Sequence, residues 1–125
     1  MKRLMLLLLL AISAGCEIEI ETDFDFNKEK KDAEQKAAEL EAEIERKEEA
    51  RVAYDKGMEF AIVQDWDHAI ECYTVAIDRD PESSRAFFGR GIAQGGSGEF
   101  SKAIEDLSEA IKIDPDYHDA YRFRA

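Results

Sequence analysis

The chain has 125 residues, which is enough for one small domain with short attachments. Hydrophobic residues make up 45% of it and can form a core, while the 37% of charged residues indicates helices with wide solvated faces. The net charge of −12 argues against a nucleic-acid partner, because phosphate contacts need clustered lysine and arginine, and it disfavours non-specific adhesion to anionic lipid.

The first residues have the order of an export signal. Lys2 and Arg3 precede an unbroken apolar run from residue 4 to residue 12, and small residues then lead to Cys16. Residues 1–15 are therefore predicted to be a signal peptide that takes no part in the fold. The apolar run is shorter than the roughly 20 residues that cross a bilayer. An ordinary secretory signal followed by an unrelated cysteine is the alternative interpretation.

The sequence Ser13-Ala14-Gly15-Cys16 resembles the lipobox of bacterial lipoproteins. The resemblance implies lipidation of the Cys16 thiol, cleavage before Cys16 and acylation of the new amino group, palmitate being a typical acyl chain. Several acyl chains would anchor the protein stably, since each buried CH₂ adds about 0.8 kcal/mol. The residue after the cysteine is Glu17, whereas an aspartate there favours inner-membrane retention in this family. The expected location is the bacterial cell envelope, with the periplasmic side of the outer membrane favoured over the inner membrane.

Residues 16–27 are predicted to be an acidic tether. From residue 17 to residue 26 acids alternate with apolar residues or threonine, ending in Phe24 and Phe26. This period of two would place the apolar side chains on one face of an extended strand. The segment is either a solvated tether or a strand that adds to a sheet or lies in a groove.

Residues 28–49 are predicted to be a charged helix that serves as a spacer or a cap. They are rich in Lys, Glu and Ala and contain neither Gly nor Pro. A seam formed by Ala33, Ala37, Leu40 and Ile44 has coiled-coil spacing, but the next two seam positions are basic. A coiled coil needs a longer seam, so a single solvated helix is favoured. With no breaker present, this helix is able to continue into the next segment.

The rest of the chain contains an internal repeat of 34 residues. Shifting the sequence by 34 superimposes residues 50–81 on residues 84–115. The identical residues include four pairs, namely Gly57 and Gly91, Ala69 and Ala103, Ala76 and Ala110, and Pro81 and Pro115. Alanines seven residues apart lie on one helical face and let a paired helix approach. Each proline is expected to end the second helix of its copy.

Two further pairs have predicted roles in packing. Glycine inside a helix costs up to about 1 kcal/mol relative to alanine, so Gly57 and Gly91 are expected where another helix crosses closely. Trp66 and Phe100 are predicted to be aromatic plugs near the start of the second helix of each copy.

The period and these residues resemble the tetratricopeptide repeat (TPR). The resemblance implies an all-α fold, a right-handed superhelix with repeats at 50–83 and 84–117. Residues 118–125 would form a capping helix or begin a third repeat. The second copy has the sequence Gly-Gly-Ser-Gly at residues 95–98, where the family keeps a large apolar residue. Its first helix is therefore expected to end early or to fray.

In this family the first helix of each repeat lines a concave face that binds peptides or protein segments. The register predicts a groove formed by Arg51, Tyr54, Met58, Arg85, Phe88, Ile92 and Arg122. The groove would be apolar and aromatic, with arginines at one edge. The alternative is that these side chains pack between the repeats. Binding of a carboxylate through lysines and asparagines, known in the family, is not expected because these positions lack asparagine.

No arrangement of residues predicts catalysis, a metal or a cofactor. His68 and His118 lack zinc-site spacing, and His68 is expected at the surface. His68 and Cys72 are four residues apart, but two ligands are a weak metal signal. With Cys16 lipidated, Cys72 would be a free thiol or form an intermolecular link.

The sequence therefore predicts a lipid-anchored adaptor or scaffold that binds a protein or peptide, and not an enzyme. The alternative is a self-assembling structural protein of the envelope, which dimerises through its repeats or its N-terminal helix. This alternative arises because at least three repeats are usually needed for stability.

Overall fold

The computed structural model describes residues 26–124, which form five helices and no strand. The helices are α1 (Phe26–Ile62), α2 (Trp66–Arg79), α3 (Ser84–Ser97), α4 (Phe100–Ile113) and α5 (His118–Arg124). The prediction of an all-α fold is confirmed. The chain divides into two compact units, Met1–Ala37 and Ala38–Ala125, and the helix pairs described below lie in the second. The predicted signal peptide, Cys16 and the tether up to residue 25 lie outside the described residues.

Helix α1 begins earlier than predicted and has no internal break. The tether was expected to reach residue 27, but Phe26 and Asn27 are already helical. Extending a formed helix adds a hydrogen bond for each residue fixed, and the Lys- and Glu-rich sequence that follows provides that helix. No Gly or Pro stands between residue 26 and Gly57, so the charged segment and the first helix of repeat 1 are one element.

Small residues hold the helices close together. The four repeated alanines, Ala69, Ala76, Ala103 and Ala110, are all buried, as predicted. Helices α2 and α4 end at Arg79 and Ile113, each two residues before a proline. The two helices therefore occupy the same 14 positions of the repeat, 34 residues apart.

Three helical glycines lie against Tyr73 or Leu107 of the neighbouring helix. A β-carbon on Gly57 would lie 2.8 Å from Cε1 of Tyr73, and one on Gly89 would lie 2.6 Å from the same atom. A β-carbon on Gly91 would lie 3.1 Å from Cγ of Leu107. The prediction of close approach at Gly57 and Gly91 is confirmed. The role of Gly89 was missed because its counterpart in the first copy is an aspartate.

Helix α3 does not end early, so that part of the expectation for residues 95–98 is wrong. It runs to Ser97, and the backbone N–H of Gly98 donates to the carbonyls of Gln94 and Gly95. Gly98 has a φ of +89°, the left-handed conformation that favours glycine at a helix end. Gly96 remains helical because the Trp66 ring packs against it, with Cε2 2.5 Å from the position of a β-carbon.

The two predicted aromatic plugs differ. Trp66 is half-buried against α3, but Phe100 is 68% exposed, so its prediction as a plug is wrong. Trp66 begins α2, and the next helix, α3, has 14 residues and packs against the Trp66 ring. Phe100 begins α4, and the next helix, α5, has only seven residues. Phe100 borders an open groove that also contacts Phe123.

A buried ion pair joins α3 to α4. The guanidinium of Arg90 donates from Nε and Nη2 to the two carboxylate oxygens of Asp106, at 2.7 and 2.8 Å. Its Nη1 lies 3.4 Å from the Thr74 hydroxyl on α2, and its Cζ lies 5.6 Å from the centre of the Phe87 ring. One side chain therefore links three consecutive helices.

Candidate functional site

Three of the predicted groove residues meet at one small cavity. Arg51 and Tyr54 from α1 and Arg85 from α3 line a space of about 150 Å³. The remaining lining residues are Lys47, Ala50, Asp80 and Ser83. Asp80 and Ser83 belong to the turn that the Asp80-Pro81 sequence forms between the copies, which brings Arg85 near α1. The cavity therefore has three cationic side chains and one acid around an aromatic ring.

The ring of Tyr54 is the aromatic side chain that lines this cavity. It is half-buried and packs against Tyr73, with the ring centres 5.6 Å apart and the planes inclined at 57°. The guanidinium carbon of Arg85 lies 5.4 Å from the centre of the Tyr54 ring. Such a cation–π contact holds the exposed arginine in place without neutralising its charge.

Two of the cations have carboxylate partners on their own helix. Arg51 contacts Glu48 at 2.6 Å and Asp55 at 3.0 Å, and Lys47 contacts Glu43 at 2.8 Å. These hydrogen bonds raise the pKa of the Arg51 guanidinium and of the Lys47 ammonium, so both stay charged. Exposed ion pairs contribute at most about 1 kcal/mol, and an incoming anion is able to replace them.

An aromatic cluster around Phe88 of α3 lies beyond the cavity. Phe88 makes edge-to-face contacts with Tyr117 and Phe123, with ring centres 5.0 and 5.8 Å apart. Burial raises the pKa of the Tyr117 hydroxyl. The charge interaction with Tyr54 raises this pKa further, and that with Arg85 lowers it, so Tyr117 interacts electrostatically with both cavity residues. Ile92 packs in the same core as Phe88. These residues serve core packing and leave part of their surface open.

Met58 and Arg122, the other two predicted groove residues, lie outside this cavity. Met58 is 40% exposed. Arg122 is exposed and lies 3.9 Å from Asp119 on its own short helix. Sequence reasoning missed Lys47, Asp80 and Ser83. The repeat register identifies positions along one face of a helix. Lys47 lies one turn before Arg51 on α1, and Asp80 and Ser83 lie in the loop after α2, so the register does not identify them.

The chemically reactive side chains do not converge. His68 is exposed, as predicted, and its Nδ1 lies 2.8 Å from a carboxylate oxygen of Asp65. Cys72 is a free, half-buried thiol whose pKa is raised by burial. Within residues 26–124 no three His, Cys, Asp or Glu side chains are grouped so as to hold a metal ion. Over the same residues no helix is long and apolar enough to cross a membrane.

Comparison with known sequences supports the repeat. Residues 84–117 match the family model of the tetratricopeptide repeat, and this range is the second copy defined above. The protein SGT1 homolog of Oryza sativa subsp. japonica is 35% identical over 57 residues, which are 46% of this chain and 16% of that protein. The chain thus spans less than a fifth of this curated relative.

Solved structures of TPR domains are similar to this fold. The TPR2B domain of yeast Sti1 in complex with pHsp70 has 34% identity and a TM-score of 0.60, covering 61% of each chain. The Arabidopsis OM64 TPR domain has 26% identity and a TM-score of 0.62, covering 63% of this chain and 65% of that one. The first TPR of Spaghetti (RPAP3), bound to the HSP90 peptide SRMEEVD, has 29% identity, a TM-score of 0.61 and 62% coverage of both chains. The chain spans about three fifths of each of these solved chains.

Residues 84–117 therefore match the tetratricopeptide repeat, and the described helices have the TPR type of fold.

Proposed function

We propose that this chain is an interaction adaptor, without catalytic activity, that binds a segment of a protein partner through the cavity around Tyr54 and the adjoining Phe88 surface. The observation that supports this most directly is that Lys47, Arg51 and Arg85 line one cavity with Tyr54, and that the Arg85 guanidinium lies over the Tyr54 ring. Two of the similar solved structures are TPR domains in complex with pHsp70 or with an HSP90 peptide.

The cavity favours a partner segment that carries an acidic group next to an apolar side chain. The cations would receive the acidic group, and the open edges of Phe88 and Tyr117 would receive the apolar one. The net charge of the whole chain is −12, and Lys47 and Arg51 have carboxylate partners, so the guanidinium of Arg85 over the Tyr54 ring is the cation that an acidic segment would meet first. This contrast would orient an acidic segment towards the cavity and away from the rest of the surface.

The proposal is tested by calorimetric titration with the peptide SRMEEVD as the probe and with a version whose two glutamates and aspartate are replaced by amides. The acidic peptide is expected to bind at least about tenfold more tightly, since charge-assisted hydrogen bonds contribute about 1.5–3 kcal/mol. Arg85→Gln and Lys47→Gln should each weaken binding, while Arg122→Gln, outside the cavity, should not.

A capture experiment addresses partners other than this probe. Membrane extracts would be passed over the immobilised chain and over Arg85→Gln and Arg122→Gln variants. Proteins that bind through the cavity should be lost from the Arg85→Gln sample alone. If neither peptide binds and the Arg85→Gln variant retains every captured protein, the cavity is not the binding site.

We also propose that the chain is a lipoprotein anchored at Cys16 in a bacterial cell envelope, on the periplasmic side of the outer membrane. The support is the order of residues 1–16, in which basic residues, an apolar run and small residues lead to the cysteine. Incorporation of radiolabelled palmitate should be lost in Cys16→Ser and retained in Cys72→Ser. Equal labelling of the two variants would refute the anchor, and separation of inner from outer membranes would test the location.

A further inference from the structure

A second groove lies between α1 and α2, and none of the residues that line it belongs to the candidate peptide site. It has a volume of about 830 Å³. Its apolar residues include Ile44 and Val52 on α1 and Val75 on α2, which are 59%, 42% and 48% exposed. Three large aliphatic side chains exposed together on one groove mark a surface for association.

Charges are ordered along the α1 side of this groove. Glu41 lies towards its N-terminal end and Lys56 is its last α1 residue, so opposite charges stand about 22 Å apart at 1.5 Å per residue. The α1 residues that line the groove between them are Ile44, Glu45, Glu48, Glu49, Val52 and Ala53. The charge pattern therefore has a direction, negative towards one end and positive at the other.

The two glutamates at the centre of the groove already have basic partners. Glu48 lies 2.6 Å from the Arg51 guanidinium, and Glu49 lies 3.0 Å from that of Arg79 on α2. The centre of the groove is therefore close to neutral. The other acids of the groove, Glu41 and Glu45, lie towards its N-terminal end, which favours an occupant that brings its positive charge to that end alone.

We propose that the occupant is a second copy of this chain, with the two α1 helices antiparallel. When Glu48 of one copy faces Glu49 of the other, Glu41 of each copy faces Lys56 of its partner. The same register brings Ile44 of each copy opposite Ala53, next to Val52. Such a two-fold interface uses one patch twice, so both ion pairs form in duplicate. A parallel arrangement would instead oppose Glu41 to Glu41 and Lys56 to Lys56.

Sedimentation equilibrium of the full chain, in a density-matched detergent that masks any lipid anchor, tests this arrangement. The wild-type chain is expected to dimerise. Glu41→Lys and Lys56→Glu should each weaken dimerisation by about tenfold or more, because each converts two attractions into two repulsions. An equimolar mixture of the two variants should recover dimerisation as a heterodimer, and the double variant should recover it alone.

Three further variants control for changes in net charge and in folding. Glu105→Lys and Lys112→Glu make the same charge changes on α4, away from the groove, and should leave dimerisation unchanged. Ile44→Asp should abolish dimerisation, and circular dichroism should show an unchanged helical content because Ile44 is already 59% exposed.

A wild-type chain that stays monomeric, including one that instead captures a helix of another protein, overturns the proposal. A dimer unaffected by Glu41→Lys or by Ile44→Asp overturns it equally. Peptide binding at Tyr54 is measured with separate variants, so the two proposals fail independently.

Discussion

The indole ring of Trp66 occupies the space that a β-carbon on Gly96 would fill, with Cε2 2.5 Å from that position. The start of α2 is thereby packed on the end of α3. Glycine weakens an isolated helix. At position 96, however, only a glycine leaves room for the Trp66 ring, and this contact supports the end of α3. The neighbouring Gly95 is different, since its β-carbon would lie 4.0 Å from that of Ala103, an ordinary contact.

The two adjacent glycines are predicted to respond oppositely to alanine. Gly96→Ala forces the Trp66 ring to move and should destabilise the fold by about 1–3 kcal/mol, as overpacking does. Gly95→Ala removes a helix-weakening residue without a clash and should stabilise the fold by up to about 1 kcal/mol. Urea unfolding followed by fluorescence of the single tryptophan measures both. Equal losses in the two variants would show that the Trp66 contact is not decisive.

The Arg90–Asp106 pair is predicted to matter through the cost of leaving one partner unpaired. The two side chains are 20% and 9% exposed, so Asp106→Ala leaves a largely buried guanidinium without its carboxylate. We expect a loss of about 2 kcal/mol or more in the free energy of unfolding. Arg90→Met/Asp106→Leu should lose less than the sum of the two single variants.

An exposed pair provides the comparison for this buried one. Lys102 and Glu99 lie 2.9 Å apart, with side chains 63% and 43% exposed. Lys102→Ala should change stability by no more than about 1 kcal/mol. Similar losses at Lys102 and at Asp106 would contradict the role of burial.

Stability is predicted to fall in alkaline solution because of Tyr73. Burial, with smaller contributions from Tyr54 and Cys72, raises the pKa of its hydroxyl from 10.0 to about 12. Between these values the unfolded chain releases the proton while the folded chain keeps it. The stabilisation is therefore complete below pH 10 and is lost as the pH rises towards 12, at up to about 1.4 kcal/mol per pH unit.

Chemical denaturation at a series of pH values measures this slope. Tyr73→Phe should reduce it, because a phenylalanine ring cannot titrate. Tyr117→Phe should reduce it as well, since burial also raises the pKa of Tyr117. A slope that is identical in the wild type and Tyr73→Phe would disprove the assignment.

His68 is predicted to titrate above its ordinary pKa of 6.5, chiefly because of its hydrogen bond to the Asp65 carboxylate. The favourable charged pair is present from the lowered pKa of Asp65 up to pH 6.5 and is lost as the pH rises through the raised pKa of His68. An NMR titration of the imidazole measures this directly. Asp65→Ser keeps an oxygen that can cap α2 but removes the charge, so the pKa should fall back. Asp67→Asn, a minor contributor, should change the pKa much less, and a larger fall there than in Asp65→Ser would reject the proposed cause.

The repeat period was the part of the fold most accessible to prediction. Small residues at fixed positions indicate where helices cross, so Gly57, Ala69 and their counterparts could be assigned to helix contacts from their spacing. Contacts between unlike residues leave no such signal. The approach of Tyr73 to Gly89 and the pairing of Arg90 with Asp106 each join residues 16 positions apart, and neither pair of residue types recurs at the equivalent positions 34 residues away.

The candidate site was predictable only along α1 and α3. Arg51, Tyr54 and Arg85 follow from the register, and they do line one cavity. Lys47 and Asp80 do not follow from the register, because their place in the cavity depends on how the turn after α2 packs against α1. The charged run is predicted to be a solvated face and Glu49 is exposed, but its ion pair with Arg79 of the next helix, at 3.0 Å, does not follow from the pattern.

The position of the Tyr73 ring has a consequence for how this protein unfolds. The ring fills the space beside Gly57 in the first copy and beside Gly89 in the second, and it is 3% exposed. In repeat proteins the stability divides into terms for each repeat and terms for the interfaces between them. Here one side chain belongs to the core of the first repeat and to the interface at once. Opening either copy exposes the same ring, so the slowest-exchanging amide hydrogens of α2 and α3 should exchange together as one cooperative unit.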